Sequence, residues 1–274
     1  MSAPGYAAQL GLVFRGALAQ LARPPTHSRR AEAARYWARR SLAFGAVTAV
    51  VITASMILLD AYEIGLMPPR GTASLWPLRI VTDFGKSEYV LWGLSGLLIV
   101  ILLLTPRLRG TSRAIWLGIG TRIQYIFLSV GFAVMIGEVV KGIVGRGRPF
   151  VGGAANPFNF SPFAWNEAYA SFPSGHATTS FALAFAVAAL WPRLKIPMIV
   201  YAVMICCSRL LLLAHHPSDV LAGGLLGGMV AMAVRYWFAA RKLAFLIRPG
   251  GRIAPLPGPS RAHVKRVAGE AFAP

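Results

Sequence analysis

Charge is scarce in this chain: only 14% of its 274 residues are Asp, Glu, Lys or Arg, against about a quarter in an ordinary soluble domain. With 56% hydrophobic residues and a mean hydropathy of +0.58, a water-facing surface cannot be covered, which excludes a soluble globular domain. Acids are scarcer still, nine against 28 Lys and Arg, giving a net charge of +19. Such a balance can mark a nucleic-acid binder, but here the cations collect in short stretches between long apolar runs, as in membrane proteins, so no nucleic-acid partner is expected. Cysteine is nearly absent. Cys206 and Cys207 are adjacent in an apolar run, and vicinal side chains on a helix diverge, so no structural bridge is expected. There is no internal repeat and no low-complexity block. The first forty residues hold seven Arg and no sustained apolar core, so no cleavable signal peptide is expected.

What the chain does have is six apolar runs near the length of about 20 residues that a helix needs to span hydrocarbon. They are Ser41–Leu59, Tyr89–Pro106, Ile123–Val144, Ala177–Trp191, Ile196–Ala214 and Pro217–Phe238. The expected fold class is all-α: a polytopic membrane protein with six transmembrane helices. Around a membrane domain at 41–240 stand a basic N-terminal segment, 1–40, and a Pro-, Gly- and Arg-rich tail, 241–274, expected to be disordered. Tyr6–Leu21 fits either a surface amphipathic helix or a flexible tail. If both termini are cytoplasmic, the inside segments hold 21 of the 28 Lys and Arg and the outside seven, so this orientation is expected. One outer loop, 60–88, carries acids and a candidate interfacial helix near Trp76. The other, 145–175, is dense in aromatics suited to the headgroup layer.

Under that topology, ionisable residues from the last four spans meet at one depth, where burial is costly and function is the default reading. Lys141, Arg148 and Arg209 can neutralise a phosphate. Ser174 and Gly175 open an apolar helix whose N–H groups can face an anion. His215 and Asp219 are four apart, so the carboxylate can hold one imidazole nitrogen as N–H and leave the other free to attack. His176 is placed to protonate a leaving oxygen. Glu138, one turn before Lys141, is expected to pair with it. Gly223, Gly224, Gly227 and Gly228 are spaced for close helix packing. A metal held by His176, His215 and Asp219 is disfavoured, because three neighbouring cations would repel it.

Three blocks now stand in order: Lys141 and six residues on Arg148-Pro149; Pro173-Ser174-Gly175-His176; and Ser208-Arg209, then His215, then Asp219. Together they resemble the type 2 phosphatidic acid phosphatase (PAP2) superfamily over about Lys141–Gly224. The resemblance implies a six-helix core and a metal-independent phosphatase acting on a lipid phosphate or diphosphate, with no cofactor. It implies that His215 becomes phosphorylated, Asp219 orients it, and His176 protonates the leaving group. Lys141, Arg148, Ser174, Gly175 and Arg209 would hold the phosphoryl oxygens. The setting it implies is a bacterial inner membrane with the site on the periplasmic side. Where many relatives carry Gly two residues before the third-block His, this chain has Leu213. Transfer of the phosphoryl group to a lipid acceptor, and a non-catalytic lipid-phosphate binder or transporter, are the competing functions.

Overall fold

A computed structural model describes residues 5–153, 156–258 and 260–271 of the chain. Residues 1–4 of the expected N-terminal segment, 154–155 of the second loop, and 259 and 272–274 of the tail lie outside the described residues. The regular secondary structure of the described residues is helical apart from one small hairpin. In order come α1 (Tyr6–Ala22), α2 (Arg30–Leu58), α3 (Asp60–Leu66), α4 (Trp76–Asp83), α5 (Ser87–Leu104), α6 (Gly110–Val144), α7 (Gly175–Leu190), α8 (Lys195–Leu211), α9 (Pro217–Ala240), β1 (Phe245–Ile247), β2 (Ile253–Pro255) and α10 (Arg261–Ala271).

Five described stretches are long and apolar enough to cross a membrane: Arg30–Leu58, Ala73–Arg107, Gly110–Val144, Pro192–Leu211 and Pro217–Ala240. The fourth expected span, Ala177–Trp191, corresponds to α7, a shorter apolar helix of 16 residues enclosed by α6, α8 and α9. Two expected boundaries shift. The helix of the first span begins at Arg30, inside the segment expected to precede the membrane domain, and α6 begins at Gly110 instead of Ile123. Tyr6–Ala22 takes the helical one of its two readings.

Helix α9 is the axis of the bundle. Its glycines let it lie directly on α7: a Cβ at Gly223 would meet the Ser174 carbonyl oxygen, and one at Gly227 would overlap the Thr178 carbonyl. Gly224 and Gly228 instead face the Phe181 and Phe185 rings. This close approach is the packing that the glycine spacing predicts. At one end of the bundle the core is aromatic, with Tyr125 edge-on to Phe238 at 5.3 Å and to Phe245 at 4.8 Å.

The tail expected to be disordered is ordered over its described part. β1 and β2 pair antiparallel, with Phe245, Ile247 and Ile253 buried. The reason is a set of hydrogen bonds with the rest of the chain. Arg122 donates to the carbonyls of Leu256 (3.1 Å) and Pro257 (2.9 Å), Arg235 to that of Ile253 (2.5 Å), and Ile247 N–H donates to His27 Nε2 (3.1 Å). Composition does not reveal these long-range partners.

Candidate active site

The opposite end of the bundle holds a cavity of about 700 Å³, lined among others by Lys141, Arg148, Gly175, His176, Arg209 and His215. Six of the eight residues singled out in the sequence thus meet in one space, from α6, α7, α8 and two loops. The other two, Ser174 and Asp219, lie fully buried in contact with the residues that line it.

Each element delivers its side chain for a local reason. Helix α6 stops at Gly145, which adopts the left-handed conformation (φ 58°) that ends helices and whose N–H returns to the Lys141 carbonyl at 2.9 Å. Lys141 therefore sits in the last turn, and it pairs with Glu138 at 2.5 Å, as their spacing predicts. Ser174 caps α7, so the N–H groups of the first turn are left without helical acceptors beside the cavity. Gly175 lets Lys141 approach that turn: a Cβ there would stand 3.0 Å from Nζ. Arg209 ends α8 and donates to Thr82 Oγ1 of α4 at 2.9 Å.

Between α8 and α9 the chain reverses at Leu213, whose φ of 49° lies in the left-handed region. The side chain that takes the place of glycine is buried, 2% exposed, so the turn is held by packing against its backbone cost.

His215 follows. Its Nδ1 lies 2.9 Å from the Ser171 carbonyl oxygen, while Asp219 Oδ2 is 3.8 Å away. A carbonyl can only accept, so Nδ1 carries the proton and Nε2 keeps its lone pair. The direct partner expected for that N–H, Asp219, is instead one step removed. Its Oδ2 accepts from Ser171 Oγ at 2.6 Å and from His216 N–H at 2.9 Å, so it fixes the segment that fixes His215. Burial pushes the His215 pKa down to about 4, against the partial offset of Asp219, leaving the ring neutral at pH 7. His176 Nε2 is buried and has no hydrogen-bond partner among the described residues.

Behind this layer stand residues that the sequence motifs do not single out. Arg146 is fully buried and donates to Asp219 Oδ1 (2.6 Å), Asp60 Oδ2 (2.8 Å), Ser218 Oγ (2.6 Å) and the Pro157 carbonyl. Asp60 accepts in addition from Ser218 N–H at 3.0 Å. The Arg146 carbonyl also accepts from Ser171 N–H at 3.0 Å, so one residue anchors both Asp219 and the carbonyl that holds His215. The motifs do not single out Thr82 and Ser171 either. Asp60, at the end of a span, carried the one usable signal: an ionisable group at membrane depth.

The aromatic loop covers part of the cavity. Trp165 lies against α6 where Gly142 leaves room for its ring, and Trp165 and Tyr169 line the opening.

Residues 123–243 match the family described as the PAP2 superfamily. A Rhizobium etli protein named lipid A 1-phosphatase is 32% identical over 211 residues, 75% of this chain and 88% of that one. A Bacteroides thetaiotaomicron protein named lipid A 4'-phosphatase is 31% identical over 139 residues, 48% of this chain and 59% of that one. A transmembrane PAP2 type phosphatidylglycerolphosphate phosphatase from Bacillus subtilis, known from a crystal structure, aligns over 83% of this chain and 94% of its own, with a TM-score of 0.43 and 20% identity.

Proposed function

The chain belongs to the PAP2 superfamily, and from that premise we propose that it is a membrane phosphatase that hydrolyses a lipid phosphate through phosphorylated His215. The observation that carries this reading is the 2.9 Å contact of His215 Nδ1 with the Ser171 carbonyl. It commits the opposite nitrogen to the lone-pair form in a cavity that His176 shares.

In the proposed reaction the phosphoryl group rests among Lys141, Arg148, Arg209 and the N–H groups that follow Ser174. His215 Nε2 attacks phosphorus in line, and the bond from phosphorus to the lipid oxygen breaks. His176 gives that oxygen its proton. Water then attacks the phosphohistidine, returns a proton to His176 and releases inorganic phosphate, while His215 regains its free nitrogen. Catalysis is mostly positioning and charge stabilisation, which three cations and a helix N-terminus supply. Asp219 acts through Ser171 and through the charge it presents to the ring as it becomes cationic.

Both termini are assigned to the cytoplasm and the cavity to the periplasmic face of the inner membrane, on the bias of Lys and Arg toward the opposite end. The relative named lipid A 1-phosphatase makes the 1-phosphate of lipid A the first substrate to test. Purified protein should release phosphate from one or more of a panel of lipid phosphates, with equal rates with and without EDTA, and His215→Ala should release none. Release by His215→Ala at the wild-type rate would refute the assignment.

A further inference from the structure

A second pocket, of about 410 Å³, adjoins the first, and Lys86 and Arg209 line both. Arg70 and Arg79 complete its charged wall. The only acid in that wall, Asp83, is already paired with Lys86 at 2.8 Å. Among the described residues neither the Arg70 nor the Arg79 side chain makes an ion pair or a hydrogen bond. Four cations with one acid repel one another unless an anion enters, and two unengaged guanidiniums offer it forked donors.

The position of α4 says where that anion comes from. Trp76 and Ile80 of α4 and Phe84 at its C-terminal cap recur every four residues and are all exposed. Such a face seats a short helix in the headgroup layer. Arg79, Thr82 and Asp83 stand on the same helix and line the pocket, which therefore opens at the depth of lipid headgroups.

We propose that this pocket is a second anion subsite, which takes a second phosphate group of the same lipid whose first phosphate lies in the catalytic cavity. The preferred substrate class is then a lipid bearing two separated phosphates. This rests on the phosphatase reading above and adds a specificity site to it.

The test uses the full chain purified in neutral detergent, as wild type and as Arg70→Ala/Arg79→Ala. Phosphate release is measured on two synthetic lipids of one scaffold, with one phosphate or with two. The double substitution should raise KM for the two-phosphate lipid about tenfold, leave kcat unchanged, and leave the one-phosphate lipid within about twofold. An equal change for both lipids, or for neither, overturns the subsite. If phosphatidylglycerol in the micelles lowers KM for the one-phosphate lipid in wild type alone, the occupant is a neighbouring lipid and the proposal is wrong. Should wild type release phosphate from neither lipid, the phosphatase reading falls. Equilibrium binding of the two-phosphate lipid then decides the subsite: about tenfold weaker in the variant if it exists, unchanged if it does not.

Discussion

Arg146 donates to Asp219 across 2.6 Å with both side chains fully buried. A second carboxylate, Asp60, takes the other end of the guanidinium at 2.8 Å. The pairing joins the first outer segment, the first sequence block and the third into one unit behind His215. Removing the cation would leave two carboxylates buried without compensation. Arg146→Ala should therefore lose at least about 3–5 kcal/mol of stability in a denaturation series in detergent. Arg146→Lys should recover only part of it, since an ammonium lacks the fork that serves two carboxylates. Wild-type stability in Arg146→Ala would refute the network.

Leu213 holds a backbone conformation that glycine adopts freely. Leu213→Gly would relieve about 1–2 kcal/mol of left-handed strain. It would also remove a buried leucine side chain, a loss of about 2–5 kcal/mol in comparable cores. Burial outweighs strain, so the variant should be less stable, by thermal denaturation, despite its better turn residue. A gain in stability would show that strain dominates here.

The neutral state of His215 sets a pH dependence. Its pKa, pushed down to about 4 by burial, lies below the unfolded value near 6.5, so the folded protein takes up this proton only toward pH 4. Nucleophilic capacity at His215 should persist through pH 5 and fail below it. In protein with isotope-labelled histidine, the resonance that disappears in His215→Ala should titrate near pH 4. A midpoint near 6.5 would contradict the buried, neutral ring.

The contact of α7 with α9 has no room for a side chain at Gly227. Gly227→Val should force the helices apart at a cost of about 1–3 kcal/mol. It should also lower phosphate release more than stability alone explains, because the Ser174 N–H to Asp219 carbonyl bond (2.9 Å) links the second block to the third across this seam. Unchanged turnover would mean that the seam does not position the site.

The sequence spoke most clearly where hydrophobicity or chemistry was concentrated. Apolar runs marked the helices of the bundle, although α2 and α6 extend further than their apolar parts because Arg- and Gly-containing turns continue a helix without spanning hydrocarbon. The cavity residues could be grouped because Lys141, His176 and Arg209 sit at helix ends, and Arg148 and His215 in the loops beside them, at one depth. Arg146 was hidden among cations of the same type, and only its distance from the cavity, set by Asp60 more than eighty residues earlier, separates it from the phosphate-facing ones. The Ser171 carbonyl could not be foreseen, since a backbone acceptor leaves no mark in residue type. The tail was misread for a related reason: its order depends on donors supplied by Arg122 and Arg235.

The most direct test is to trap the covalent intermediate. Enzyme mixed with a lipid carrying a radiolabelled phosphate and quenched in alkali within milliseconds should retain label that is stable to base, released by acid, and mapped to the peptide containing His215. His215→Ala should retain none. Label on another residue, or turnover without any labelled protein at times shorter than one catalytic cycle, would contradict the mechanism.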